Sequence, residues 1–135
     1  MLDSETLKYI VPAIVAVLGW FAAHQFNVYR DRQNKRRDLR VEFLLDAYRR
    51  LESAANRDEK TEAQNLAFES AVADIQLLGT PEQVAAVVTY LHRHAAGSGA
   101  QIDEVLRLLR QDLRNEIGLK GTVENAVVFR FTRES

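Results

Sequence analysis

The chain has no cysteine, only two prolines and six glycines, and a single tryptophan and a single methionine in 135 residues. Without cysteine there is no disulfide framework, no thiolate metal site and no cysteine nucleophile. The composition fits a reducing compartment. Glycine and proline together stand at about half their average usage, which disfavours turn-rich β folds and points to helices. Neither charge sign dominates: 18 Lys and Arg face 19 Asp and Glu, for a net charge of −1. With 47% hydrophobic residues, 27% charged residues and a mean hydropathy of −0.24, a multi-pass membrane protein is excluded. The length allows one domain.

What the chain does have is concentrated at its N-terminus. No formally charged residue occurs between Lys8 and Arg30, and nearly every side chain from Tyr9 to Ala23 is apolar. As a helix, Tyr9 to Tyr29 spans about 30 Å, the thickness of a hydrocarbon core. Tyr9 and Tyr29 stand at the two ends, where amphipathic rings favour the headgroup level. Pro12 falls in the first turns, where its missing N–H costs little. The polar residues His24, Gln25 and Asn27 interrupt the stretch near its end. A surface helix would need a polar face, which the apolar run lacks. A cleaved signal peptide would carry the opposite charge distribution on its flanks.

Those flanks predict orientation. Residues 1–8 carry Asp3, Glu5 and Lys8, whereas residues 30–40 carry Arg30, Arg32, Lys35, Arg36, Arg37 and Arg40 against Asp31 and Asp38. Lys and Arg remain on the cytoplasmic side, so the short N-terminus is expected outside and the rest of the chain inside. The same basic cluster is expected to meet anionic lipid headgroups. Residues 41–135 have a net charge of −4, which does not suit nucleic-acid binding.

No glycine or proline occurs from Trp20 to Leu78, so the membrane helix is expected to continue into the cytoplasm, to about Asn56. Val41, Leu44, Leu45, Tyr48, Leu51 and Ala55 fall at helical spacing, and Phe43, Ala47 and Ala54 widen the apolar arc beyond what one packing partner requires. Thr61 and Gln64 have capping-box spacing for a second helix, with Gly79 as its left-handed C-cap. Its expected apolar face is Phe68, Ala71, Val72, Ile75 and Leu78. Thr80, Pro81 and Gln83 predict the start of a third helix, carrying Val84, Val87, Val88, Leu91 and Ala95. A fourth uses Ile102, Val105, Leu106, Leu109, Leu113 and Ile117 and closes at Gly118. The expected fold is all-α: an N-terminal transmembrane helix (9–29) after a short outside segment (1–8), a basic juxtamembrane stretch (30–40), and a small antiparallel helical bundle (41–118). An extended or disordered tail (119–135) follows. In it Val127, Phe129 and Phe131 alternate with Val128, Arg130 and Thr132, a strand-like period that docks, frays or pairs with another chain.

No catalytic set emerges. His92 and His94, two apart on a helix, point away from each other and cannot share a metal. The i,i+4 carboxylate pairs Asp38–Glu42, Glu42–Asp46 and Asp112–Glu116 lack the Glu-x-x-His partner of ferritin-like sites and read as solvated helix faces. Phosphate loops, dinucleotide loops and zinc-protease motifs are missing from the sequence. The expectation is a non-enzyme without cofactor, catalytic residue or metal site.

Two other constellations point to binding. Pro12, Ala16, Gly19 and Ala23 form a stripe of small residues, the pattern by which helices approach closely in lipid. The wide apolar arc that follows would extend that contact, which favours a homo-oligomer. On the fourth helix Arg107, Arg110 and Arg114 line one edge of the apolar face, with Asp112 and Glu116 on the other. These arginines suit an acidic partner or a phosphate-bearing ligand, or pair internally with the acidic second helix (Glu62, Glu69, Asp74). The run Asn34–Arg40 followed by Leu45 to Asn56 resembles small bacterial single-pass membrane-anchored proteins. That resemblance implies an inner-membrane setting and no activity. The expected function is a membrane-anchored interaction or scaffold module that self-associates and tethers a protein partner. The alternatives are a membrane-perturbing effector (toxin-like or in a defence system) and a sensor of a phosphorylated small molecule.

Overall fold

The computed structural model describes residues 3–55, 57, 59–124 and 127–129. It contains helices α1 (Ser4–Ala54), α2 (Glu62–Leu78), α3 (Pro81–Ala95) and α4 (Asp103–Glu116), and no strand among the described residues. The chain divides into two compact units, Met1–Asp38 and Leu39–Ser135.

In the first unit the side chains from Asp3 to Asn27 are all exposed. Because α1 begins at Ser4, Pro12 stands inside the helix rather than in its opening turn, where it has no N–H to give to the Lys8 carbonyl. Trp20 and His24, four residues apart, stack with ring centroids 5.7 Å apart. Lys8 pairs with Glu5 at 2.7 Å, and Gln33 Nε2 donates to the Tyr29 hydroxyl at 3.0 Å.

The second unit is built around one apolar cluster. Leu44, Ala47 and Leu51 of α1, Ala71 and Ile75 of α2, Val87 of α3, and Leu106 and Leu109 of α4 are each 0% exposed. Phe43 and Tyr48 pack against this cluster too. Much of the wide apolar arc of α1 is therefore packed within the unit, while Leu45 lines an open groove. The α2 stripe is buried at Ala71, Val72 and Ile75, but Leu78 at its end is 53% exposed; Ile117, at the end of the α4 stripe, is 48% exposed.

Polar contacts fix the order of the helices. Gln64 Nε2 donates to the Ser53 carbonyl at 3.3 Å, and Arg50 reaches Ser70 and Asp74 at 2.7 and 2.6 Å. Arg40 pairs with both Asp112 and Glu116 of α4. These contacts place the end of α2, the start of α3 and the end of α4 beside the residues where the chain enters the unit.

Both threonine caps form as capping boxes. Thr61 Oγ1 accepts from the Gln64 amide while Gln64 Oε1 accepts from the Thr61 amide, and Thr80 with Gln83 repeats the arrangement. Gly79 differs from the expectation: its φ of −71° and ψ of 162° are extended, not left-handed. Its N–H donates to the Ile75 carbonyl at 2.8 Å. A Cβ there would stand 2.4 Å from that same oxygen, so close backbone approach, not handedness, demands glycine.

Gln83 is 1% exposed and joins the start of α3 to α4. Besides capping α3, its Nε2 donates to Asp112 Oδ2 at 2.8 Å. Gln83→Leu leaves the Thr80 N–H without its cap and removes one donor from Asp112. A loss of about 1–3 kcal/mol is expected, read as a lower urea midpoint for the full chain in neutral detergent; an unchanged midpoint would refute this role.

Beyond α4 the chain turns at Gly118, whose φ is 80°, with the Leu119 amide donating to the Arg114 carbonyl. The carboxamide of Gln111 then holds the tail. Its Nε2 donates to the Gly121 carbonyl and its Oε1 accepts from the Val123 amide. Val128 packs against the core. The described part of the tail thus docks on the unit without forming a strand; Arg130, Phe131 and Thr132 lie outside the described residues, as does Asn56.

Candidate functional site

The most distinctive surface is the apolar part of α1. An 18-residue window there has a mean hydropathy of 1.7 with none of it buried. Val15, Leu18, Trp20 and Phe21 are 55–69% exposed. Within the apolar run, Pro12, Ala16, Gly19 and Ala23 are exposed, and a Cβ at Gly19 would meet nothing within 4 Å.

The basic residues separate into two groups. Arg30, Arg32, Lys35, Arg36 and Arg37 are exposed on the first unit. Arg40, expected beside them, belongs to the second unit: its Nε lies 3.0 Å from Glu116 Oε1, and its Nη2 meets Asp112. Asp112 and Glu116 are accordingly not a solvated helix face. A cation from α1 neutralises both, and Gln83 donates to the first.

Among the described residues no ion pair joins the arginines of α4 to α2. Arg107 turns to Glu104 of its own helix, with Nε at 2.8 Å and Nη2 at 2.7 Å. That pairing holds the Glu104 carboxyl below its ordinary range. Asp74 of α2 is instead held by Arg50, which also meets Asp46 one turn earlier on α1. Arg110 and Arg114 are half-buried, and the Arg114 Nε is buried without a hydrogen-bond partner among the described residues. Arg114 lies in the last turn of α4, where the helix dipole already favours a cation and opposes a bound anion.

Open grooves run between the helices. One of ≈450 Å³ lies between α1 and α2 and includes Leu39, Glu42, Leu45, Arg49 and Leu78. Another, of ≈410 Å³, lies between α2 and α3 and is walled by Phe68 and Tyr90, whose ring centroids are 5.7 Å apart. His94 stacks on Tyr90 at 5.8 Å, and burial pushes the Tyr90 phenol up from its ordinary range. Among the described residues no group of three His, Asp or Glu is placed to hold a metal ion.

Taken together, these features define a class: a helical protein with one helix long and apolar enough to cross a membrane. No family model, curated protein or solved structure matches the chain.

Proposed function

We propose that the chain is a non-enzymatic, membrane-anchored interaction module. The N-terminal helix spans the bilayer with its acidic end outside, and a small helical bundle stands at the cytoplasmic face to engage a protein partner. The observation that carries this reading is the apolar stretch of α1, whose hydropathy window is entirely unburied. A side-chain set of that kind is stable in lipid and costly in water. The exposed cations Arg30 to Arg37 support the orientation.

Self-association belongs to the same proposal and rests on Pro12, Ala16, Gly19 and Ala23. The cytoplasmic part of α1 adds little support to it, since most of its apolar arc is used in the core. The phosphate-sensor alternative draws little support from Arg107, which is paired with Glu104, or from Arg114, which lies at the carbonyl end of α4. The test is crosslinking of the full chain in native membranes, with Gly19→Ile as the variant. A discrete oligomer is expected, weakened about tenfold by the substitution, equivalent to about 1.4 kcal/mol. A pattern confined to monomer would remove self-association, and loss of the chain in an alkaline carbonate wash would remove the anchor.

A further inference from the structure

Soluble helical units bury their large aliphatic side chains or scatter the remainder over the surface. In the second unit five of the exposed ones are gathered at one end, Leu66 and Val127 of the tail being the others among the described residues. Leu39, Leu77, Leu78, Ile117 and Leu119 are 58%, 79%, 53%, 48% and 45% exposed. Leu39 and Leu78 line one groove. Ile117 and Leu119 follow the turn of α4 whose Asp112 and Glu116 hold Arg40. All five therefore lie where the chain enters the unit. Leu66, 59% exposed, lies toward the other end, where Gln64 bonds to Ser53. At Leu78 and Ile117 the apolar stripes of α2 and α4 run on past the last buried layer, so this end presents hydrocarbon that no part of the described chain covers.

The chain itself brings a candidate occupant to that end. Leu39 follows the stretch 30–38, which has five exposed cations and no apolar residue, and which adjoins the apolar run ending at Tyr29. As helix, that stalk measures about 14 Å, against an interfacial layer of about 5–7 Å on each side of the hydrocarbon. Helix tilts of about 20–40° shorten the remaining gap, and cations along the stalk draw it toward an anionic surface. Lys120, exposed beside Leu119, has the long stem that lets an ammonium reach phosphates while its methylenes stay with the apolar layer.

We propose that the end formed by Leu39, Leu77, Leu78, Ile117 and Leu119 is a second, peripheral lipid contact that seats on the headgroup region of the bilayer. It rests on the membrane-anchored reading above. The consequence is that the helical unit lies against the membrane rather than standing free of it, leaving the α2–α3 groove with Phe68 and Tyr90 open for a partner.

The absence of cysteine and the single tryptophan make the test direct. The full chain is placed in vesicles of phosphatidylcholine and phosphatidylglycerol. Acyl-brominated lipid then reports on Trp20, and headgroup spin-labelled lipid reports on a fluorophore attached at Leu78→Cys, Leu119→Cys or Leu66→Cys. The expected result is quenching of Trp20 and loss of most emission at positions 78 and 119, with position 66 unaffected. Leu77→Glu combined with Leu78→Glu should restore the emission at 119 while Trp20 stays quenched. An unquenched Trp20 would overturn the anchor itself. A quenched Trp20 with unquenched labels at 78 and 119 would overturn the lipid contact alone. Labels that shift to shorter wavelength without lipid quenching would show a protein covering this end and would equally overturn it.

Discussion

Leu18→Lys together with Phe21→Lys is expected to abolish membrane retention. Both side chains are exposed on the apolar part of α1, at 62% and 55%, near the middle of the stretch between Tyr9 and Tyr29. A lysine at the centre of a membrane helix costs about 2.5–3.5 kcal/mol, and the leucine or phenylalanine it replaces contributes about 0.3–0.6 kcal/mol in favour. Two such changes amount to about 6 kcal/mol, or about four decades in the insertion equilibrium. The measurement is the fraction of full-length chain that stays with membranes after an alkaline carbonate wash. Leu66→Lys, also exposed but on α2, serves as the control and should leave that fraction unchanged. If the double variant is retained as well as the parent chain, the apolar stretch does not span.

The second large effect is on the core. Leu51 is 0% exposed and belongs to the cluster that joins all four helices. Leu51→Ala removes three carbons from a site that cannot collapse freely, at a cost of about 2–5 kcal/mol. For a unit of this size that is a large part of a total of about 5–15 kcal/mol. In neutral detergent the apolar helix keeps its own helicity, so urea-induced loss of the remaining helicity reports on the unit that begins at Leu39. At about 1–3 kcal/mol per molar urea, the midpoint should fall by about 1–3 M. Leu66→Ala, at 59% exposure, is expected to stay within about 0.5 kcal/mol. Equal midpoints for Leu51→Ala and the parent chain would refute the packing described.

The four helices were legible because local chemistry and periodicity agree in them. Thr61 with Gln64 and Thr80 with Gln83 announce helix starts whatever lies around them, and both capping boxes are present. The uncharged run before Arg30 announces α1 in the same local way. What the sequence concealed were relations between distant residues. Asp112 and Glu116 resemble any exposed acidic edge until Arg40 is known to lie against them, 72 residues away from Asp112. Arg40 in turn resembles one more juxtamembrane cation. Gln83 reads as half of a capping box, and nothing local reveals that the same amide also reaches Asp112. Leu78 and Ile117 continue perfect helical stripes, yet periodicity cannot say where along a stripe the partner helices end. The site suffers more than the fold, because a small-residue stripe such as Pro12 to Ala23 acquires meaning only from a second surface.

The joint between α2 and α3 consists of Gly79 and Thr80 alone. Gly79 packs its backbone against Ile75, while Thr80 and Gln83 tie the start of α3 to Asp112. One inserted residue there would rotate everything after it and break the cap and the bridge together. The connection from Ala96 to Gln101, with left-handed Gly97 and Gly99, bonds back to the last turn of α3 through the Gly97 and Ser98 amides, and the chain rejoins the core at Ile102. In lineages descended from this chain, length variation should therefore collect between α3 and α4, and the two-residue joint should keep its length. A tag, reporter or second domain grafted between Gly97 and Gly99 would be tolerated where the same graft at the joint would not.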